Sequence, residues 1–441
     1  ENKSTGKIDG ASYHNMVEDN VNFLDQPIGV KSYNTLDLKT GKKDDLPINL
    51  NSVNLSEIIY RSAPLVEKRK WYFYEDDGYP SFDGLEYNGS YFLIDDEYDL
   101  VIFSSLIQKK TTHENGHKYN KQTYVLTDNI DMKNIISYHT PGVLFEGILS
   151  GGEGDLTDGN QNKYILNLNK ITPFITTTEY QYGLIGKLSG TISNINFYNC
   201  NSILDVLDLH TKIGYIGMAV GVLQGGTIKN IISNASLNFG IIPLGKTYGG
   251  GLVGYGTGDI EKVANTGLIN GGIHEYNNQI INPEFYLGGI IGASGAENLV
   301  INNVINKGDI TGFSSTGTYN LMENVSAQIK IGGIIGQVNN QTSIGHSLYY
   351  ITNKGTITAG QFLGREGVIV KQQVGGIFGN VTGNANRITT DNKTFINGRY
   401  ENDGLIKGSF NNIYRIDYLA GIGHASTTTP KAEFSYMINK K

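Results

Sequence analysis

A short signature recurs along this chain and limits what it can fold into: two glycines, two apolar residues and a third glycine. It reads Gly250-Gly251-Leu252-Val253-Gly254, Gly288-Gly289-Ile290-Ile291-Gly292, Gly332-Gly333-Ile334-Ile335-Gly336 and Gly375-Gly376-Ile377-Phe378-Gly379. Looser versions are Tyr182-Gly183-Leu184-Ile185-Gly186, Gly217-Met218-Ala219-Val220-Gly221 and Ala420-Gly421-Ile422-Gly423. The closing glycines are Gly186, Gly221, Gly254, Gly292, Gly336, Gly379 and Gly423, at steps of 35, 33, 38, 44, 43 and 44 residues. Self-similarity at this period belongs to solenoids and propeller-like arrays, in which each repeat leans on its neighbours.

The repeat that starts at Leu287 shows how one coil would be built. Residues 287–291 and 299–305 read as apolar strands, Asn306-Lys307-Gly308 as a turn and 309–312 as a third strand. Three strands joined by tight turns make one triangular coil, and identical Ile, Leu and Val positions then stack in columns about 4.8 Å apart. The glycines are expected where the backbone turns with positive φ or where a side chain would strike the next coil. The segments 266–286, 313–330, 357–373 and 381–400 read as inserted loops whose varying length makes the period drift. Asn265, Asn306, Asn353 and Asn402 each open an Asn-x-Gly triplet, once per coil, and Asn199 and Asn234 are assigned the matching place in the first two coils. Asparagine tolerates a left-handed corner, and stacked amides can bond along the axis as a ladder.

Composition narrows the class. Lys and Arg number 35 against 42 Asp and Glu, with no basic block, which argues against a nucleic-acid partner. Glycine is abundant at 57 and proline scarce at 9, which favours turn-dense β-structure over a proline-rich stalk. Cys200 is the single cysteine, so neither an internal disulfide nor a cysteine zinc cluster can form. No apolar run is long enough for a transmembrane segment. The chain starts at Glu1 without a signal-peptide pattern, and we expect a leader that is removed or not included.

Residues 1–20 are polar and aperiodic and read as a flexible lead-in. Residues 21–93 read as a small aromatic-rich β-subdomain or cap, with Trp71, Tyr72, Phe73, Tyr74, Tyr79, Phe82, Tyr87, Tyr91 and Phe92 as its core and Asp76-Asp77-Gly78 and Asn88-Gly89 as hairpin turns. After Asp95-Asp96, a helix is expected over 97–108, with Leu100, Phe103, Leu106 and Ile107 on one face; it would cover the open end of the first coil. Residues 124–132 read as one alternating strand. The β-helix is assigned to 94–425, and residues 426–441 to a C-terminal cap or tail.

That helix, the following Tyr124-Val125-Leu126-Thr127-Asp128-Asn129-Ile130-Asp131-Met132, Phe145-Glu146-Gly147 and the first Gly183-Leu184-Ile185-Gly186 resemble bacterial surface proteins that carry GLUG motifs. Such repeats occur in the non-catalytic regions of IgA1-metalloprotease-type and adhesin-like proteins. The resemblance spans about residues 95–425 and implies an all-β fold, a right-handed parallel β-helix, at an extracellular or cell-surface location. Met218-Ala219 and the shortened Ala420-Gly421-Ile422-Gly423 depart from the pattern.

Four segments carry possible chemistry. His113-Glu114-Asn115-Gly116-His117 matches H-E-x-x-H, but zinc binding by that motif needs a helix, and Asn-Gly fills helices poorly. Gly249-Gly250-Gly251-Leu252-Val253-Gly254 matches G-x-G-x-x-G, yet Thr257-Gly258-Asp259 follows where a dinucleotide site needs a helix. Asp155, Asp158 and Asn160 lie in a loop rich in hard oxygen ligands and are weak calcium candidates. Asp128 and Asp131 are the remaining carboxylate pair for sugar hydrolysis, which needs two acids facing across a cleft. No cofactor is expected. The favoured reading is a non-catalytic surface scaffold whose loops meet a host or cell-surface protein or glycan. The alternatives are a self-assembling filament or surface-layer subunit, bound to copies of itself, and a polysaccharide-degrading enzyme.

Overall fold

The computed structural model describes residues 72–73, 80–81, 85–109, 112–113, 116–135, 137–152, 163–204, 212–239, 246–275, 284–316, 328–340, 347–361, 370–383, 400–408, 415–420, 423–425 and 437–439. The expectations for residues 1–20, for most of 21–93 and for the calcium candidates Asp155, Asp158 and Asn160 lie outside the described residues. Two compact units divide at Glu86 and Tyr87. In the first, Tyr72–Phe73 pairs antiparallel with Pro80–Ser81.

The second unit is built from parallel sheets whose neighbours are successive repeats, the pairing of a β-helix. One sheet of eight strands runs Phe174–Ile175, Glu179–Tyr182, Ile213–Gly217, Lys246–Gly250, Glu284–Gly288, Gln328–Gly332, Val370–Gly375 and Arg415–Ala420; only its first pairing is antiparallel. A six-stranded parallel sheet runs Asn201–Ile203, Ser236–Asn238, Ile269–Asn270, Ile310–Thr311, Ile357–Thr358 and Ile406–Lys407. A third sheet of 18 strands holds the long elements Val220–Ser233, Val253–Asn265 and Ile291–Asn306.

Register turns the repeat into columns. Ile185, Val220, Val253, Ile291, Ile335 and Phe378 are successive partners, and all are sealed from solvent. Leu149, Ile192, Ile228, Ile260, Ile301 and Leu348 form a second buried column, and Leu237, Ile269, Ile310 and Ile357 a third. Burying one such side chain stabilises the fold by about 1.5–3 kcal/mol, so the columns are where the coil gains its cohesion.

The glycine signature sits elsewhere than expected. It is a corner and not a strand: Glu284–Gly288 ends, Gly289 and Ile290 turn, and Ile291 opens the next strand. Its closing glycines Gly186, Gly221, Gly254, Gly292, Gly336 and Gly379 stack one above another, and a Cβ on any of the last five would press on the carbonyl oxygen of the glycine before it. Close approach, and not positive φ, explains this column. Gly423 departs from it, because Phe378, one place before Gly379, is its partner.

The helix forms over Glu97–Leu106, two residues shorter than expected. Asp96 caps it, its Oδ1 accepting from the amides of Tyr98 and Asp99 at 2.8 Å each. Leu100, Phe103, Leu106 and Ile107 are buried as the pattern required. Phe103 packs edge-on against Tyr124 and Phe145. The single strand expected over 124–132 is broken: Thr123–Leu126 and Ile130–Asp131 are separate, and a 3-10 turn, Met132–Asn134, follows.

Candidate functional site

The repeat places two polar features in the coil, one sealed and one near the surface. The sealed feature is an amide ladder. Asn265 Nδ2 donates to Asn306 Oδ1 at 2.9 Å, Asn306 to Asn353 at 2.9 Å, and Asn353 to Asn402 at 2.8 Å. Each Nδ2 also donates to the carbonyl of the glycine two residues on, Gly267, Gly308, Gly355 and Gly404. All four asparagines are fully buried, and buried amides are stable only when bonded in this way.

The ladder also explains the second glycine of the signature. A Cβ on Gly251, Gly289 or Gly333 would lie 3.0, 2.5 or 2.5 Å from the Cγ of Asn265, Asn306 or Asn353. Two motifs 14 to 20 residues apart are thus two halves of one packing unit. Asn199 and Asn234 are not in this ladder. Register puts Ser233 against Asn265, and Phe197 against Ser233. Ser233 is the smaller residue, and its coil carries Met218 where the others have glycine, so the departure in the second repeat exchanges one bulk for another.

Asn199 instead belongs to an outer corner. Its amide N–H donates to Asn234 Oδ1 at 2.7 Å and its Nδ2 bonds Asn167 Oδ1. Among the described residues other than glycine, those with positive φ are Asn167 and Asn199 here and, at a second corner, Asn194, Asn230, Lys262, Asn303 and Tyr350. Of the six asparagines assigned to a left-handed corner, Asn199 alone has positive φ; Asn167, Asn194, Asn230 and Asn303, which have it too, were not assigned.

The near-surface feature was not foreseen. Tyr215, Tyr248 and Tyr286 are register partners whose rings stack at 5.6 and 5.2 Å with interplanar angles of 7° and 16°. Tyr255 closes on Tyr248 at 4.9 Å. Lys246 Nζ bonds Glu284 Oε2 at 2.8 Å and lies 5.5 and 5.6 Å from the Tyr248 and Tyr286 ring centroids. Glu284 also accepts the Tyr286 hydroxyl at 2.9 Å. Burial alone would lift the Glu284 carboxyl, but its bonds to Lys246 and Tyr286 hold it below the usual range. Lys246 is held up in the same way, its burial outweighed by Glu284 and Tyr248. Lys330 continues the tyrosine column, its Nζ 5.2 Å from the Tyr286 centroid. Burial, with Lys246 nearby, drops its ammonium to about 8 against the pull of Glu284. The sequence signal was available: tyrosine three residues before the second glycine of the signature, twice, then lysine in the third copy.

The expected chemical residues are placed as follows. His113 and His117 flank a tight turn, with the His113 amide donating to the His117 carbonyl at 2.9 Å, and no helix carries them; Glu114 lies outside the described residues. The His113 ring packs on Tyr87, Phe92 and Tyr119. The strand Val253–Asn265 follows Gly249-Gly250-Gly251, where a dinucleotide site would need a helix. Asp128 accepts the Asn129 amide, whereas Asp131 caps the 3-10 turn and accepts Asn167 Nδ2 at 2.7 Å. Burial would raise Asp131, but the bonds from Asn167 and Lys133 lower it. Asp95, Asp96 and Asp99 cluster at the helix start, with Asp96 serving as its cap. Cys200 is buried, which pushes its thiol up to about 11.

No protein-family model matches this chain, and no curated protein matches it. A crystal structure from Bacteroides ovatus, provisionally described as an immunoglobulin A1 protease, overlaps 73% of this chain and 85% of its own, at 16% identity and a TM-score of 0.34. An overlap this loose carries neither fold nor activity across. No described helix is long and apolar enough to cross a membrane.

Proposed function

We propose that this chain is a non-catalytic scaffold of the bacterial cell surface, a right-handed parallel β-helix that resembles GLUG-motif proteins and presents its inserted loops to a host or cell-surface protein or glycan. The helix Glu97–Leu106 covers the first coil in this reading. The observation that supports it best is what the repeated positions do. Isoleucines, glycines and asparagines stack on their own copies, and Asp131, the better placed of the two candidate acids, is spent on a cap and an amide bond. Such repetition makes a rod. It does not converge unlike groups on one reacting atom, as catalysis needs.

The test is an assay of the intact chain, beside Asp128→Asn and Asp131→Asn variants, against a panel of bacterial and host polysaccharides. No cleavage is expected. Depolymerisation that either substitution abolishes would replace the scaffold with an enzyme. Sedimentation over a concentration series is expected to give one monomeric species. Growth into long assemblies would favour a filament subunit, in which exposed strand edges pair.

A further inference from the structure

The tyrosine stack leads to a lysine that has no ion-pair partner among the described residues. Lys330 lies in Gln328–Gly332, between Tyr286 of the coil before and Gln373 of the coil after. It is half-buried, yet its Nζ makes no hydrogen bond or ion pair with any described residue. The nearest candidate anion is already committed: Glu284 holds Lys246 at 2.8 Å and the Tyr286 hydroxyl at 2.9 Å. Lys246 lies over the same Tyr286 ring, 5.6 Å from its centroid, so a second ammonium adds to the cost. A partly desolvated charge is costly when nothing compensates it. Gln373, the next residue in the column, likewise makes no side-chain hydrogen bond to a described residue.

We propose that Lys330 and Gln373 form the anchor of a binding site for a ligand carboxylate, one oxygen accepting from the Lys330 ammonium and the other from the Gln373 amide. Residues one coil apart are about 4.8 Å apart along the axis, a span that a carboxylate between two donors bridges. The Tyr286 ring beneath excludes water from one side and strengthens the charge pairing. Glucuronate-type sugars and peptide C-termini both offer this group. Such an anchor would serve a scaffold and an enzyme alike, so it does not rest on the reading above.

The test follows the Lys330 side-chain NMR signal, assigned by its loss in Lys330→Met, through pH titrations with sodium glucuronate, with N-acetylglycine and with sodium chloride at equal ionic strength. Either carboxylate is expected to raise the Lys330 titration midpoint by at least one pH unit, saturably, and chloride is expected not to. Calorimetric binding should vanish in Lys330→Met and fall several-fold in Gln373→Leu, while Lys330→Arg retains part of it. A response to glucuronate alone identifies a sugar acid, to N-acetylglycine alone a peptide terminus, and to both a site that reads only the carboxylate. A shift equal to that with chloride, or binding undiminished in Lys330→Met, overturns the proposal.

Discussion

At the scale of the residue, the decisive group is a buried amide. Asn306 donates to Asn353 and to Gly308, and accepts from Asn265. Asn306→Ala removes these bonds and leaves an Asn265 donor and an Asn353 acceptor short of a partner, so a loss of about 2–4 kcal/mol is expected in urea unfolding. The opposite effect is expected at Tyr350, a bulky, exposed residue at φ 47° in a column otherwise held mostly by asparagine. Tyr350→Asn should gain about 1 kcal/mol, read from the same midpoint shift. Lys330 sets a pH dependence. Its folded ammonium titrates near 8 and an unfolded lysine near 10.5, so between these values the unfolded chain binds more protons and stability rises with pH. The rise should end near pH 10, where unfolded tyrosines ionise and buried ones such as Tyr286 resist doing so. Unfolding midpoints measured from pH 7 to 10 should climb for the native chain and climb less for Lys330→Met.

At the scale of the element, the corner matters more than the strand. Gly250, Gly288 and Gly332 end one strand, and the glycines that follow them leave room for the asparagine of the same coil. Alternation of apolar residues marked where strands lie but misplaced their ends, running 287–291 through a corner and 124–132 through a break, because a strand ends where a close approach forces it to and not where its apolar residues stop. The helix and its start were legible, since its acidic cap and its four buried apolar residues are local signals, although it ends two residues short of the expected 108. Asp96→Ala is expected to cost about 1 kcal/mol and to lower the protection of the Tyr98 and Asp99 amides in hydrogen exchange.

At the scale of the whole molecule, each coil touches mainly its neighbours, and stability is therefore distributed along the stack. Amides of the middle strand Ile291–Asn306, paired on both sides, should exchange last, and those of the terminal strand Met437–Asn439, paired with Tyr400–Asn402, first. Uniform exchange along the stack would show a single cooperative body instead. The order of the coils, their period and the strand content were all readable in the chain, because a repeat writes its own spacing into every copy. The tyrosine–lysine cluster was written there only as a recurring position, three residues before the second glycine of the signature; its members lie one coil apart in space but 33 to 44 residues apart in sequence, and only register brings them together.

The sequence by itself determined that these segments repeat, that isoleucine, glycine and asparagine recur at matched places, and that a capped helix precedes them. These are local facts of spacing and side-chain chemistry. Only the tertiary structure decided which asparagines are sealed in the ladder and which turn the outer corner, and that one lysine is left beside a filled ion pair. Those depend on register between coils, where a shift of one residue exchanges the inside of the coil for its surface.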